Sequence, residues 1–539
     1  MADMRGRRSV AWGMAGQLGS TGKKRSGGAA LLVGVFVALL LAAVGVTPMT
    51  PASVLAAEES PATPALSPAA PALSPAAPAP SLAAPLALPS AAGPAITALP
   101  PALPPPAPAT APTKDSVDSG DTAWLLTSAA LVFLMTIPGL ALFYGGLVRR
   151  KNVLSVLMQC TMAVLLVSVQ WILFGYSLAF GPDKWGGLIG GLEWVGLGGV
   201  SHNVPHWDAA TGLSYAATVP HQAFATFQMM FAVITPALII GAFAERMRFG
   251  PFCAFLLLWS TLVYDPVCHW LWGIDGLLGI LNPGGQGAMD FAGGIVVHVN
   301  AGVAALACAL FLGKRKGYPD KMSPPHNLPL AVVGAGLLWF GWFGFNAGSA
   351  LGAGGLATSA FLVTHMAGAV AGLTWAVMDW LFIKRATMLG VITGAVAGLA
   401  TITPASGFVN LWGAILIGIA AGLVPWIFVS LLKPRLGYDD SLDAFGVHGI
   451  GGILGSLAVG LFASKAINPG GADGAVFGNP HQMLEQFKAV GLTMVFSFVA
   501  TYVLLIVVNK VSRLRADEHE ETVGLDLTQH REAAYTVVD

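Results

Sequence analysis

Two histidines are the residues of this sequence best placed to do chemistry. His298 lies in DFAGGIVVHVNAG (290–302), and His448 lies in DAFGVHGIGG (443–452). Each stretch runs aspartate, then an aromatic ring among small residues, then an imidazole deep in a hydrophobic run. An imidazole at such depth is expensive unless it faces a bundle interior or a pathway. Each ring can donate or accept a hydrogen bond as its tautomer allows, so two facing rings in an apolar lumen would govern what passes between them. The competing reading of either one alone is a core imidazole satisfied by a backbone carbonyl.

The surrounding composition says what must position them. Of 539 residues, 55% are hydrophobic and only 10% are charged, with no formal net charge, and the mean hydropathy is +0.70. That balance excludes an ordinary soluble domain and describes an all-α polytopic membrane protein, whose Lys and Arg matter by position rather than by sum. Cys160, Cys253, Cys268 and Cys308 all fall in hydrophobic segments without metal-ligand spacing, and read as packed thiols.

Ahead of the membrane region stands a leader. Arg5, Arg7, Arg8, Lys23, Lys24 and Arg25 precede an apolar run over 29–46, and Val54-Leu55-Ala56-Ala57 fits a signal-peptidase site, giving a signal peptide over 1–57. An uncleaved anchor helix is the alternative, since the run is long enough to span. A Pro/Ala-rich linker follows over 58–120, too poor in bulky residues to build a core.

Eleven apolar segments come next, near 123–147, 153–181, 222–244, 250–272, 290–313, 328–346, 357–381, 387–403, 408–432, 443–463 and 487–510. The membrane domain thus occupies 121–511, with a charged tail over 512–539. Every basic cluster follows an odd-numbered segment: Arg149 to Lys151, Arg246 and Arg248, Lys314 to Lys316, Lys384 and Arg385, Lys433 and Arg435, then Lys510 to Arg515. The even connections hold only Lys184, Lys465 and Lys488. By the positive-inside rule the mature N-terminus is outside and the C-terminus is in the cytoplasm. Five segments in each half place the halves in opposite orientations, and the paired histidine stretches are the trace of that 5+5 inverted repeat, with one helix added.

Five motifs in order resemble the Amt branch of the ammonium transporter family (Amt/Mep/Rh). They are IPGLALFYGGLVRRKNVLS (137–155), FQMMFAVITPALIIGAFAERMRF (227–249), DFAGGIVVHVNAG, HNLPLAVVGAGLLWFGWFGFNAGSA (326–350) and DAFGVHGIGG. The resemblance implies an eleven-helix protomer in the cell inner membrane, a homotrimer, and one pore per protomer carrying ammonium or ammonia. It implies a transporter rather than an enzyme, without cofactor or metal and with no nucleic acid partner. It assigns Trp272, Phe231 and Ser349 to an outer recruitment site, with Phe227 a weaker addition, and a gate of stacked rings to Phe231 and Phe345.

The residue types suit that assignment. Phe227 and Phe231 share a helix face at i and i+4. Aromatic faces attract an ammonium ion by about 2 kcal/mol once it is partly desolvated, and the Ser349 hydroxyl can accept one N–H. Without the resemblance, Trp272 reads as an interfacial belt residue and the phenylalanines as core. Asp290 fits a helix N-cap better than a proton relay, with Asp443 expected in the equivalent place of the other half. Glu245-Arg246 and Asp439-Asp440 read as ordinary solvated charges. The tail, with Gly524-Leu525-Asp526 and His530 to Tyr535, resembles the segment of bacterial Amt proteins that a PII-type signal protein contacts. Two alternatives stay open: an ammonium sensor of the same fold, and an intramembrane redox protein with His298 and His448 as ligands.

Overall fold

A helix satisfies its own backbone hydrogen bonds, so an apolar chain in lipid has little choice but to build helices. The computed structural model describes residues 111–282 and 285–536; the expected leader and nearly all of the linker lie outside the described residues. Among the described residues, ten helices are long and apolar enough to cross a membrane. They are α1 (Ser119–Leu147), α2 (Arg150–Phe180), α3 (His221–Phe243), α4 (Phe249–Trp272), α5 (Gly294–Leu312), α6 (Leu328–Gly348), α7 (Gly355–Ile383), α9 (Leu411–Leu436), α10 (Phe445–Phe462) and α11 (His481–Val511). The eighth expected span is present as the shorter α8 (Met388–Ile402). Its 15 residues rise only about 22 Å. All but a few of its residues are buried against α7, α9 and α10, so it need not present a full bilayer thickness to lipid.

Local chemistry sets several helix starts. Asp118, Asn327, Thr387 and Asn410 each accept a backbone N–H from their own first turn. Pro138 interrupts α1 at a π-helical turn, where it cannot supply the missing N–H. The most enclosed helices are α3 and α5, while α9 and α11 leave most of their apolar surface outward.

The two halves meet through glycine in a pseudo-symmetric way. A Cβ on Gly302, four residues after His298, would lie 2.2 Å from the Gly449 nitrogen. A Cβ on Gly452, four residues after His448, would lie 2.8 Å from the Val299 nitrogen. Equivalent positions of α5 and α10 therefore touch backbone to backbone, which no larger residue permits.

The face carrying the basic clusters corrects one expectation. Glu245, Arg246, Asp439 and Asp440 are not solvated charges; none is more than 3% exposed. Arg315 binds Asp439 through two nitrogens at 2.8 and 2.9 Å, Arg246 stands 3.6 Å from the same carboxylate, and Glu245 takes Arg149 at 2.9 Å. Burial raises the Asp439 carboxyl, but the Arg315 and Arg246 guanidiniums outweigh it and hold it at about 2. Glu245, between Arg315 and Arg149, likewise lies below the usual carboxylate range despite its burial. Buried charges are tolerated when paired and hydrogen-bonded, and this set ties the ends of α1, α3, α5 and α9 together.

The tail is folded against this face. The short helix α12 (Glu518–Val523) starts at a capping box of Asp517 and Glu520. Arg248 reaches Glu520 at 2.9 Å, Asn152 accepts the Leu525 N–H at 2.8 Å, and Asp526 accepts the first-turn Ser155 N–H of α2 at 2.8 Å.

Candidate functional site

A row of rings runs inward from the end of α4. Trp272 is fixed by its indole N–H, which donates to the Asp290 carbonyl at 2.8 Å. Phe231 of α3 meets it edge-on at 5.7 Å between centroids, meets Phe227 at 4.9 Å and lies over Phe345 of α6 at 4.3 Å. Phe227, Phe231 and Phe345 are buried, whereas Trp272 is part-exposed at the rim. Ser349 ends α6 one turn beyond Phe345 and donates its hydroxyl hydrogen to the Phe345 carbonyl at 2.8 Å. That leaves the oxygen's lone pairs free to accept an N–H from a bound cation.

Beyond the rings stand the imidazoles. His298 lies 6.1 Å from Phe345 and 5.2 Å from His448, with the two imidazole planes only 13° apart. Both histidines sit on single π-helical turns, Gly294–Val299 and Phe445–Gly449; such turns recur at functional sites. Neither ring nitrogen of His298 has a hydrogen-bond partner in the protein, nor does Nδ1 of His448. The carbonyl-satisfied core imidazole is therefore not what the chain builds. Around the pair, apolar side chains of α1, α3, α6 and α8 leave a cavity of about 10 Å³, close to the space of one water. Past His448 the lumen opens on the basic face into a cavity of about 220 Å³, lined with Arg149, Glu245, Tyr318, Lys433 and Asp443 among others.

The caps that hold the two histidine turns differ from expectation in one half. Asp290 accepts four backbone N–H groups, from Gly293, Gly294, Ile295 and Val296, at 2.6–3.0 Å. In the other half that place belongs to Asp440, not Asp443. Asp440 accepts from Ala444 and Phe445 at 3.1 and 2.8 Å, whereas Asp443 has φ +61° and pairs with Lys433 at 2.5 Å. Asp290 and Asp440 each precede their histidine by eight residues, a register visible in the sequence once counted back from the imidazole. Burial raises the Asp440 carboxyl to about 6, against the nearby Lys433 ammonium.

Trp342 is a neighbour of the candidate site that reading by motif does not single out. It stacks on His298 at 5.6 Å and donates to Thr403 at 2.9 Å. Its spacing gave a signal, since Trp342, Phe345 and Ser349 recur at helix period along one face of α6. Trp270, by contrast, packs on Phe496 and donates to the Leu188 carbonyl at 2.8 Å, off the row. Among the described residues no group of three or more His, Cys, Asp or Glu stands together as a metal site, so nothing joins the two histidines as a further ligand.

An inverted pair of helical halves, with a row of aromatic rings leading to paired imidazoles between them, defines a polytopic membrane protein. The model of the Ammonium Transporter Family matches residues 123–535, and the chain belongs to that family. It is 50% identical over 416 residues to an ammonium transporter of Bacillus subtilis, covering 77% of this chain and 98% of that one. It is 44% identical to the ammonium transporter Amt1 of Archaeoglobus fulgidus, covering 78% and 100%. Among solved structures it is similar to Saccharomyces cerevisiae Mep2, with TM-score 0.68, 36% identity and coverage of 75% and 89%. A structure described as a sensor Amt protein is also similar, with TM-score 0.66, 31% identity and coverage of 76% and 98%.

Proposed function

We propose that this protein moves ammonium across the cytoplasmic membrane, recruiting the cation at Trp272, Phe231 and Ser349 with Phe227 behind them, and passing ammonia between His298 and His448. The observation that carries the reading is the unbroken series Trp272, Phe231, Phe345, His298, His448, each ring within 6.1 Å of the next. Outside, the rings attract the cation through their quadrupoles and Ser349 accepts one N–H. The gate formed by Phe231 and Phe345 opens onto a lumen whose walls offer imidazole nitrogens but no carboxylate. Carrying a bare cation through such a centre is costly. The ammonium ion therefore gives up one proton before the histidines: an N–H bond breaks, the proton leaves to water, and neutral ammonia continues. The unpartnered imidazole nitrogens then donate to or accept from it. Potassium has no proton to shed and meets the full barrier.

The same reading puts the Trp272 end outside and the basic face in the cytoplasm, after a signal peptide over 1–57 and the linker over 58–120. Arginine and lysine after every odd span support that orientation. The family suggests a homotrimer, and the folded tail offers a surface for a PII-type signal protein at the inner mouth. The test is uptake of labelled methylammonium into proteoliposomes. Saturable uptake that unlabelled ammonium suppresses is expected, and uptake equal to that of protein-free vesicles would reject the transport reading.

A further inference from the structure

A second buried polar group lies between α2 and α4 and is not used by the path just described. Asp265 is fully buried on α4, and its Oδ2 accepts from the Gln170 side-chain amide of α2 at 2.7 Å. The same amide reaches the Thr261 hydroxyl at 3.2 Å. Oδ1 of Asp265 has no hydrogen-bond partner, and neither do Oε1 of Gln170 and the Ser260 hydroxyl. The titratable groups around it are Tyr264 and Cys268 of its own helix; α3 brings Thr235 beside the Tyr264 hydroxyl. Gln170 is the partner from α2, and no Lys or Arg of the described residues pairs with the carboxyl.

Two further features mark the place. Both helices leave α-geometry here, with a π-helical turn at Trp171–Gly175 just after Gln170 and another at Ser260–Tyr264 just before Asp265. The two histidines rest on turns of the same kind. Asp265 also stands seven residues before Trp272 on one helix, with Cys268 between them, so the three share a face and the two backbone positions are about 10 Å apart along the axis.

A carboxylate left in such surroundings without a cation is costly, so the resting group carries its proton. We infer that Asp265 is a proton-exchanging positioning residue linked to the cation site: a cation at Trp272 and Phe231 favours the carboxylate, and the carboxylate favours the cation. This rests on the transport reading above. A bound cation weakens the hold of Asp265 on its proton by the same factor as the carboxylate strengthens cation binding; where the O–H bond breaks, the proton goes to water, so the charge of the region is conserved. When the cation gives up its own proton or departs, the carboxylate takes one back. Two unit charges about 10 Å apart at an effective dielectric near 20 alter affinity by about tenfold, and the effect is reciprocal.

The full chain tests this in proteoliposomes, by the half-saturating ammonium concentration between outer pH 5 and 8, and in detergent, by infrared difference spectra with and without ammonium chloride. Wild type is expected to gain affinity about tenfold as pH rises, and to lose a protonated-carboxyl C=O band when ammonium binds. Asp265→Asn keeps the bond to Gln170 but has no proton to give, so it should retain maximal flux with a flat pH profile and no band. A variant profile parallel to wild type, or a band that persists in the variant, overturns the inference. The infrared arm reads binding alone, so a chain that lacked flux would fail the transport reading without deciding this one. Should the Asn variant not accumulate, Asp265→Glu must shift the band, and an unmoved band is the contrary result.

Discussion

In the proposed transport reading, Trp272 concentrates what single side chains contribute to recruitment. Its indole N–H is spent on the Asp290 carbonyl, so the ring cannot turn away, and its face remains for a cation beside Phe231. Replacing it with leucine keeps bulk and removes the quadrupole. Trp272→Leu is expected to raise the half-saturating ammonium concentration about 10- to 30-fold, matching the loss of about 2 kcal/mol of cation–π attraction. Flux against concentration in vesicles checks this, and an unchanged half-saturation would remove Trp272 from the site. The histidines were legible in the sequence because an imidazole in a hydrophobic run has few uses. Asp265 was not singled out, since a lone acid at 265 reads like a stray charge until burial and the Gln170 contact are known.

Elements explain why the site holds its shape. The approach of α5 and α10 depends on Gly302, where a Cβ would sit 2.2 Å from the backbone nitrogen of Gly449. Gly302→Ala should push the helices apart and lower the thermal midpoint in detergent by several degrees, while Gly336→Ala, with nothing within 4 Å of the added carbon, should leave it unchanged. Equal midpoints for the two variants would contradict the close-packing account. On the basic face, Asp439 is held at about 2, below its ordinary value. Its stabilising effect is thus fully present above about pH 4 and lost as pH falls toward 2, and amounts to about 2 kcal/mol. Asp439→Asn should lower the midpoint at pH 7, because Arg315 and Arg246 stay buried with less compensation, and should flatten the fall between pH 4 and 2. A melting series across that range checks both signs.

The eleven spans were legible because hydrophobic length survives without any tertiary knowledge, and the loop charges gave an independent check. The buried network was not. Whether Arg246 faces water or a partner depends on residues about two hundred positions away, Asp439 and Ser441, and Glu245 depends on Arg149 and Arg315 in other loops. Asp443 opens the repeated motif and so reads as the cap, whereas the backbone counts from the histidine and selects Asp440.

At the scale of the whole molecule, the inverted halves and the glycine contact between them surround the row of rings and imidazoles that the transport reading makes its path. The central claim is that this path selects by deprotonation: an ion that can become neutral passes, and one of similar size that cannot is refused. The most direct measurement follows membrane current and internal pH together in proteoliposomes after matched pulses of ammonium and potassium, with His298→Ala and His448→Ala beside wild type. The account predicts a saturable response to ammonium in current or in internal pH, no response to potassium, and loss of that discrimination or of the flux in the histidine variants. A potassium current comparable to the ammonium response in wild type would contradict it.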